Sequence, residues 1–162
     1  MNYSLLPKVF VYGSLLSKLS NHHILLDLES QCRLISDQCI SVEKFFLTGL
    51  KSNEYPYLSD VPLQNGQVSY QIKGELYELS DEALAKLDLF EEHPVEYLRS
   101  MIRVQDLSVN EKGKLNAELC SVYDVNVYLL KNEERIAEAR ADFDSKFVLV
   151  NGGDWRLHLS NL

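Results

Sequence analysis

Three segments with the short-period apolar and β-branched character of strands dominate the middle of the chain: VSYQIKGELYEL, EYLRSMIRVQDL and AELCSVYDVNVYLL. This run constrains the fold more than any other feature. A short acidic stretch of helical pattern separates the first two, and the turn-rich NEKGK separates the last two. Upstream, KVFVY (Lys8 to Tyr12) is a fourth strand-like run, broken by Gly13-Ser14, and SNHHILLDL after it reads as a first helix capped by Ser20 or Asn21. A β-leaning segment from about Cys39 to Leu50 leads into the loop KSNEYPYLSDVPLQNGQ, which holds two of the four prolines and is long enough to be functional. Near the end, Asn132 caps a helix with Glu133 and Glu134 in its first turn. Ile136, Ala139, Phe143 and Phe147 follow at helical spacing, as on one packing helix. No repeat or composition break divides the chain, so the expectation is one α+β domain over residues 1–162, mostly antiparallel strands with helices outside.

Charge narrows the partners. The 24 acidic and 16 basic residues leave a net charge of −8, which opposes binding to nucleic acid or to an anionic membrane surface, so a small molecule is the expected ligand. With 162 residues, 46% hydrophobic, the chain can bury a core without staples. Cys32, Cys39 and Cys120 are too few and too irregularly spaced for a disulfide framework or a metal site, which points to reduced thiols and a cytoplasmic protein. No apolar run approaches the length of a membrane span, and the N-terminus lacks the pattern of a secretory signal.

Two features carry chemistry. A buried strand ending in Gly-Ser, as in VFVYGSLL, can turn sharply and leave the following backbone N–H groups aimed at an anion or a developing oxyanion. Strand-Gly-Ser-helix is also ordinary turn chemistry. If the oxyanion reading holds, a β-branched residue at position 13 would resist the positive φ of such a turn. The second feature is Glu91. On a helix starting after Ser80, Leu84, Leu87 and Phe90 share one side, and Glu91 projects between Leu84 and Leu87, while Glu92 lies with the solvated Asp81 and Asp88. An inward carboxylate must be protonated, paired or set at a cavity. Arg99 or Arg103 could pair with it; otherwise it is a general base whose pKa partial burial raises. The four histidines show no metal-ligand spacing, and Ser14 lacks the GxSxG context of a nucleophile.

VFVYGSLLSKLSNHHILL resembles the opening of the gamma-glutamylcyclotransferase-like family, with its YGSL or YGTL turn followed by Asn-His near the first helix. GELYELSDEALAKLDLFEEHPVEYLR, Gly74 to Arg99, is similar to the same family's "GE-Y" strand, "LD-FE" helix end and "Y-R" strand start, in order and at similar spacing. EYPYL, SVYDV and GGDW are weaker echoes. The closer likeness is to the gamma-glutamylamine cyclotransferase-like branch. What the resemblance implies is a small, mostly antiparallel β-barrel flanked by helices, with Glu91 as catalytic acid/base and no cofactor. It also implies that Tyr12, Gly13, Ser14 and Leu15 bind substrate and supply backbone donors, and that Tyr97 lines the pocket. Leu16 stands where many relatives carry a basic residue, and the stretch from Leu130 to Phe147 is longer than in compact bacterial relatives.

The reaction so implied releases 5-oxoproline and an amine from a gamma-glutamyl amide, with the substrate's own α-amine as nucleophile. That chemistry needs no activated Ser or Cys. The alternatives are a non-catalytic small-molecule-binding or stress-response module on the same fold, and a hydrolase that delivers water to the same carbonyl. The leaving amine and the oligomeric state are left open.

Overall fold

The structure, a computed structural model, describes residues 6–108 and 121–162. Cys120 and the NEKGK turn lie outside the described residues. Five strands close a barrel: β1 (Lys8–Val11), β2 (Cys32–Leu50), β4 (Tyr70–Leu79), β5 (Leu98–Asp106) and β6 (Val122–Leu129), in the circular order β1-β4-β2-β5-β6. Four of the five seams are antiparallel; β1 meets β6 in parallel, with Val9 opposite Asn126. The far half of β2 leaves the barrel and pairs with β3 (Pro56–Ser59) and β7 (Phe147–Leu149).

The continuous apolar run in β1 follows from burial on both faces. Phe10 and Tyr12 point into the barrel with Leu47, Ile72, Val104 and Val127, and Val9 and Val11 point outward beneath the helices. Those helices are α1 (His23–Leu26) and α2 (Asp81–Phe90), whose Leu25, Ala83, Leu84 and Leu87 are buried against the barrel wall. A third cluster unites Leu63, Leu130, Ile136, Ala139, Phe143 and Phe147. The helix α5 (Trp155–Ser160) adds Trp155, 1% exposed, to the barrel interior. No described helix is long and apolar enough to cross a membrane.

Several local expectations differ from what forms. β2 begins at Cys32 rather than near Cys39, because Cys32, Arg33 and Leu34 find partners along β4 despite their polar surroundings. Three irregularities in that pairing bend the strand and let one element serve both the barrel and its extension. The turn-rich loop contains β3, with Pro56 at the first position of the strand, where its missing N–H costs no ladder bond. Neither Ser20 nor Asn21 caps α1, which follows His22 without a side-chain cap. Asn132 does cap α3 (Glu133–Ala141), accepting from Glu134 and Arg135 amides, but the helix ends at Asp142. Phe143 opens the short α4 (Phe143–Lys146), and Phe147 opens β7, where it pairs with Leu50.

Candidate active site

The cavity forms where β1 runs out. Beyond Val11 the chain doubles back through residues 13–17, and α2 delivers its C-terminal end to the same place. Ser80 starts that helix by accepting the Ala83 amide at 3.0 Å, and Asp81 and Glu82 complement the dipole of its first turn. Leu84 and Leu87 seat the helix in the core; Phe90, 39% exposed, leaves the apolar stripe and faces the cavity instead. Glu91 is the C-cap residue, and the chain turns immediately after it through Glu92, at φ +51°. The carboxylate thus leaves the helix at the cavity wall.

All six residues singled out in the sequence, Tyr12, Gly13, Ser14, Leu15, Glu91 and Tyr97, line this one cavity of about 460 Å³. Asn21, Tyr55, Pro56, Phe90, Glu92, Glu96 and Tyr128 also contribute. Sequence reasoning gave these no part in a site: Asn21 was a candidate cap, Phe90 a member of the apolar stripe and Glu92 a solvated charge, while Tyr55 and Pro56 were marked only through EYPYL.

The Glu91 carboxylate has no ion-pair or hydrogen-bond partner among the described residues, although its backbone amide donates to the Leu87 carbonyl. The arginines that might have neutralised it are engaged elsewhere: Arg99 Nε lies 3.1 Å from Asp88 Oδ1, and Arg103 Nε lies 2.8 Å from Glu43 Oε1. Asp88 Oδ1 also accepts the Tyr128 hydroxyl at 2.8 Å. Left without a counter-ion, the half-buried Glu91 carboxyl is pushed by desolvation up to about 7. Tyr12 and Tyr97 are raised well above the ordinary phenol value, first by burial and then by neighbours that include Glu91, so both are neutral donors. Tyr12 donates to the Tyr128 carbonyl at 2.6 Å and Tyr97 to the Pro56 carbonyl at 3.3 Å.

Opposite this apolar and aromatic wall lies the turn. The Gly13 carbonyl accepts the Leu16 amide, the Ser14 carbonyl the Asn21 amide, and the Leu15 carbonyl the His22 Nδ1–H. Asn21 also donates its side-chain amide to Ser14 Oγ at 2.9 Å. The carbonyls are therefore occupied, whereas the backbone N–H groups of Gly13, Ser14 and Leu15 donate to no acceptor among the described residues. A row of free amides is a feature that anion-binding concavities share. Gly13 is required here for a different reason from the one expected. The positive-φ glycines are Gly66 and Gly152, and a Cβ at position 13 would instead meet the Pro56 ring at 2.8 Å. Leu16, where a basic residue was noted in relatives, is 3% exposed in the cluster beneath the helices.

The cavity carries the carboxylates Glu91, Glu92 and Glu96, and none of its lining residues is Lys, Arg or His. Glu96 accepts the Tyr57 hydroxyl at 3.0 Å and pairs with Arg135 at 3.3 Å, which leaves Glu91 and Glu92 as the unpaired charges.

The family model for gamma-glutamyl cyclotransferase, AIG2-like, matches residues 9–157. The chain is 35% identical over 147 residues to gamma-glutamylaminecyclotransferase C of Danio rerio, covering 86% of this chain and 91% of that one. It is 30% identical over 121 residues to the Mus musculus gamma-glutamylaminecyclotransferase, covering 74% and 78%. Among solved structures, a mouse AIG2-like protein superimposes with a TM-score of 0.61 at 26% identity, over 80% of this chain and 81% of that chain. A uropathogenic E. coli-specific protein shares the fold, with a TM-score of 0.59 at 15% identity over 96% and 97%. A match that begins at Val9 of β1 and ends at Leu157 of α5 spans the whole barrel and both walls of the cavity, and the chain belongs to the gamma-glutamyl cyclotransferase, AIG2-like family, as a gamma-glutamylcyclotransferase-like enzyme.

Proposed function

We propose that the protein releases 5-oxoproline and a free amine from a gamma-glutamylamine. The α-amine of the glutamyl group attacks its own γ-carbonyl, a C–N bond closes the five-membered ring, and the amide C–N bond to the leaving amine breaks. Glu91 accepts the proton from the attacking nitrogen and returns it to the departing one. The observation that carries this reading is the pairing, across one cavity, of an unpartnered carboxylate near pKa 7 with three free backbone donors. An α-amino group titrates near about 8, so an acceptor near 7 is far better matched to it than an ordinary carboxylate near about 4. The free amides of residues 13–15 hold the tetrahedral oxyanion, where one such donor is typically worth about 3–4 kcal/mol. Proximity supplies the rest, since the nucleophile and its target share one molecule.

The choice of an amine leaving group over an amino acid has its own support. A leaving amino acid carries a carboxylate, and the cavity offers it no cationic side chain but two unpaired carboxylates. The relatives named above as gamma-glutamylaminecyclotransferases point the same way.

The test incubates the protein with a panel of gamma-glutamyl amides and gamma-glutamyl amino acids and follows 5-oxoproline by mass spectrometry. In water enriched in heavy oxygen the released 5-oxoproline should be unlabelled, and a substrate acetylated on the α-nitrogen should bind without reacting, because an amide lone pair is delocalised. Labelled glutamate as first product would replace cyclisation with hydrolysis. Binding of every substrate without product would leave a binding module.

A further inference from the structure

We propose that Glu75 is a positioning residue for the cyclisation, holding the 13–17 turn in shape through Ser17, with Arg156 as its outer brace. The proposal rests on the functional reading above, which gives that turn its part in the reaction.

Glu75 is the most completely enclosed acidic side chain described, 1% exposed, and it does not line the active-site cavity. It sits on β4 opposite Val11, the last residue of β1 before the turn. Its neighbour Gly74 permits that approach, since a Cβ there would lie 2.2 Å from the Val11 carbonyl oxygen. From this position both carboxylate oxygens close on Ser17: Oε1 accepts the Ser17 amide at 2.8 Å, and Oε2 accepts the Ser17 hydroxyl at 2.6 Å. The Tyr77 hydroxyl donates to Oε1 at 3.0 Å. Arg156, projecting from α5, donates to the Ser17 carbonyl at 2.7 Å and reaches Ser17 Oγ at 3.1 Å and Glu75 Oε2 at 3.4 Å. Residue 17 is therefore held at its amide, hydroxyl and carbonyl together.

The location gives this grip a purpose. The amides of Gly13, Ser14 and Leu15 are free, Leu16 N closes back on Gly13 O, and Ser17 N is the next amide, taken by Glu75. Pro56 abuts the turn at Gly13, and Glu75 fixes it at Ser17. Between two fixed ends the open amides keep one direction. Burial alone would raise the Glu75 carboxyl, but the Ser17 hydroxyl and amide, Tyr77 and Arg156 outweigh it and hold the group below the usual carboxylate range. It remains an anion, able to accept from every one of these donors.

The test is a double-mutant cycle on Glu75→Gln and Ser17→Ala, with Arg156→Met on the exposed side of the network. Wild-type 5-oxoproline release is measured first, with thermal melts beside every rate. Misplacing reacting groups by about 1 Å can cost ~10²-fold. Ser17→Ala is expected to lower kcat by about 10- to 100-fold with a smaller change in KM, while the acid limb of the rate profile, set by Glu91, keeps its midpoint. Glu75→Gln should cost less in the Ser17→Ala background than in the wild type, because the hydroxyl contact that both disturb is already gone. Arg156→Met should lower kcat less, in the same sense. If Glu75→Gln fails to fold, Ser17→Ala and Arg156→Met decide alone. An active wild type with kcat within about threefold in these variants, additive effects in the cycle, or losses that only track the folded fraction would overturn the positioning role and leave the functional reading intact. A wild type that makes no 5-oxoproline removes both.

Discussion

Two glutamates of the same sequence end in opposite electrostatic states, and the difference lies in what each can accept. Glu91 has no protein donor among the described residues and its carboxyl rises to about 7; Glu75 has four donating groups and is held low. Glu91→Gln should keep the fold and lower turnover by about 10²–10⁴, the usual worth of a general base, while Glu92→Gln should change it little. More than about a tenth of wild-type activity in Glu91→Gln would remove that residue from the mechanism. In the wild type, the acid limb of kcat/KM should climb with pH through a midpoint of about 7, as the acceptor loses its proton. Stability should run the other way. A carboxyl whose folded pKa lies above its unfolded value binds more protons in the native chain between 4.5 and about 7, so stability falls as pH rises through that window. Glu91→Gln should therefore melt several degrees above wild type at pH 8 and close to it at pH 5, given that about 1 kcal/mol moves the midpoint by about 2–4 °C at this size. Equal melting differences at both pH values would contradict the buried-carboxylate account. Helical periodicity made Glu91 readable in the sequence. What it could not reveal was that Arg99 turns to Asp88 and Arg103 to Glu43, since those pairings are set by neighbouring strands and by the preceding turn of α2.

At the scale of elements, the site depends on how the turn after β1 meets the chain entering β3. Gly13 packs on Pro56, so Gly13→Val should force the two apart and cost activity well beyond its effect on the folded fraction, read from kinetics and thermal melts together. Activity falling only in step with the folded fraction would make the turn structural alone. Ser80→Ala removes the cap of α2 and should destabilise by about 1 kcal/mol in urea titration, since the Ala83 amide loses its acceptor. Elements with strong local signals were the legible ones. β1, β4 and α2 with its Ser80 start follow from apolar period and capping chemistry. β3 did not, because Pro56 and the surrounding turn residues say loop, and only pairing with Phe46 to Gly49 makes the segment a strand. The same holds for Phe147: its spacing fits a helix, yet Leu50 claims it for β7. Asn21 was read as a cap and instead braces Ser14. For β3 and Phe147 a long-range partner outweighs local preference.

At the scale of the molecule, the barrel is completed by contacts distant in sequence. The Asn126 side chain donates to the Lys8 carbonyl at 3.0 Å across 118 residues, at the parallel seam of β1 and β6. Trp155, the sole tryptophan of the chain, lies in the same interior against Gly49. Trp155→Ala should cost about 3–5 kcal/mol, a large share of the roughly 5–15 kcal/mol that a domain holds. We take residues 1–162 as one cooperative domain, so tryptophan fluorescence and far-ultraviolet circular dichroism should report one coincident unfolding transition; two separate midpoints would divide the chain. The proposed brace on the 13–17 turn reaches just as far, with Arg156 bonding Ser17 across 139 residues. Because a ribosome adds about 5–20 residues per second, the turn at Ser17 waits roughly 7–28 s after it is made for the arginine that steadies it. A nascent chain stalled before α5 would hold both partners of the β1–β4 seam yet lack the indole inside the barrel and the outer grip on Ser17.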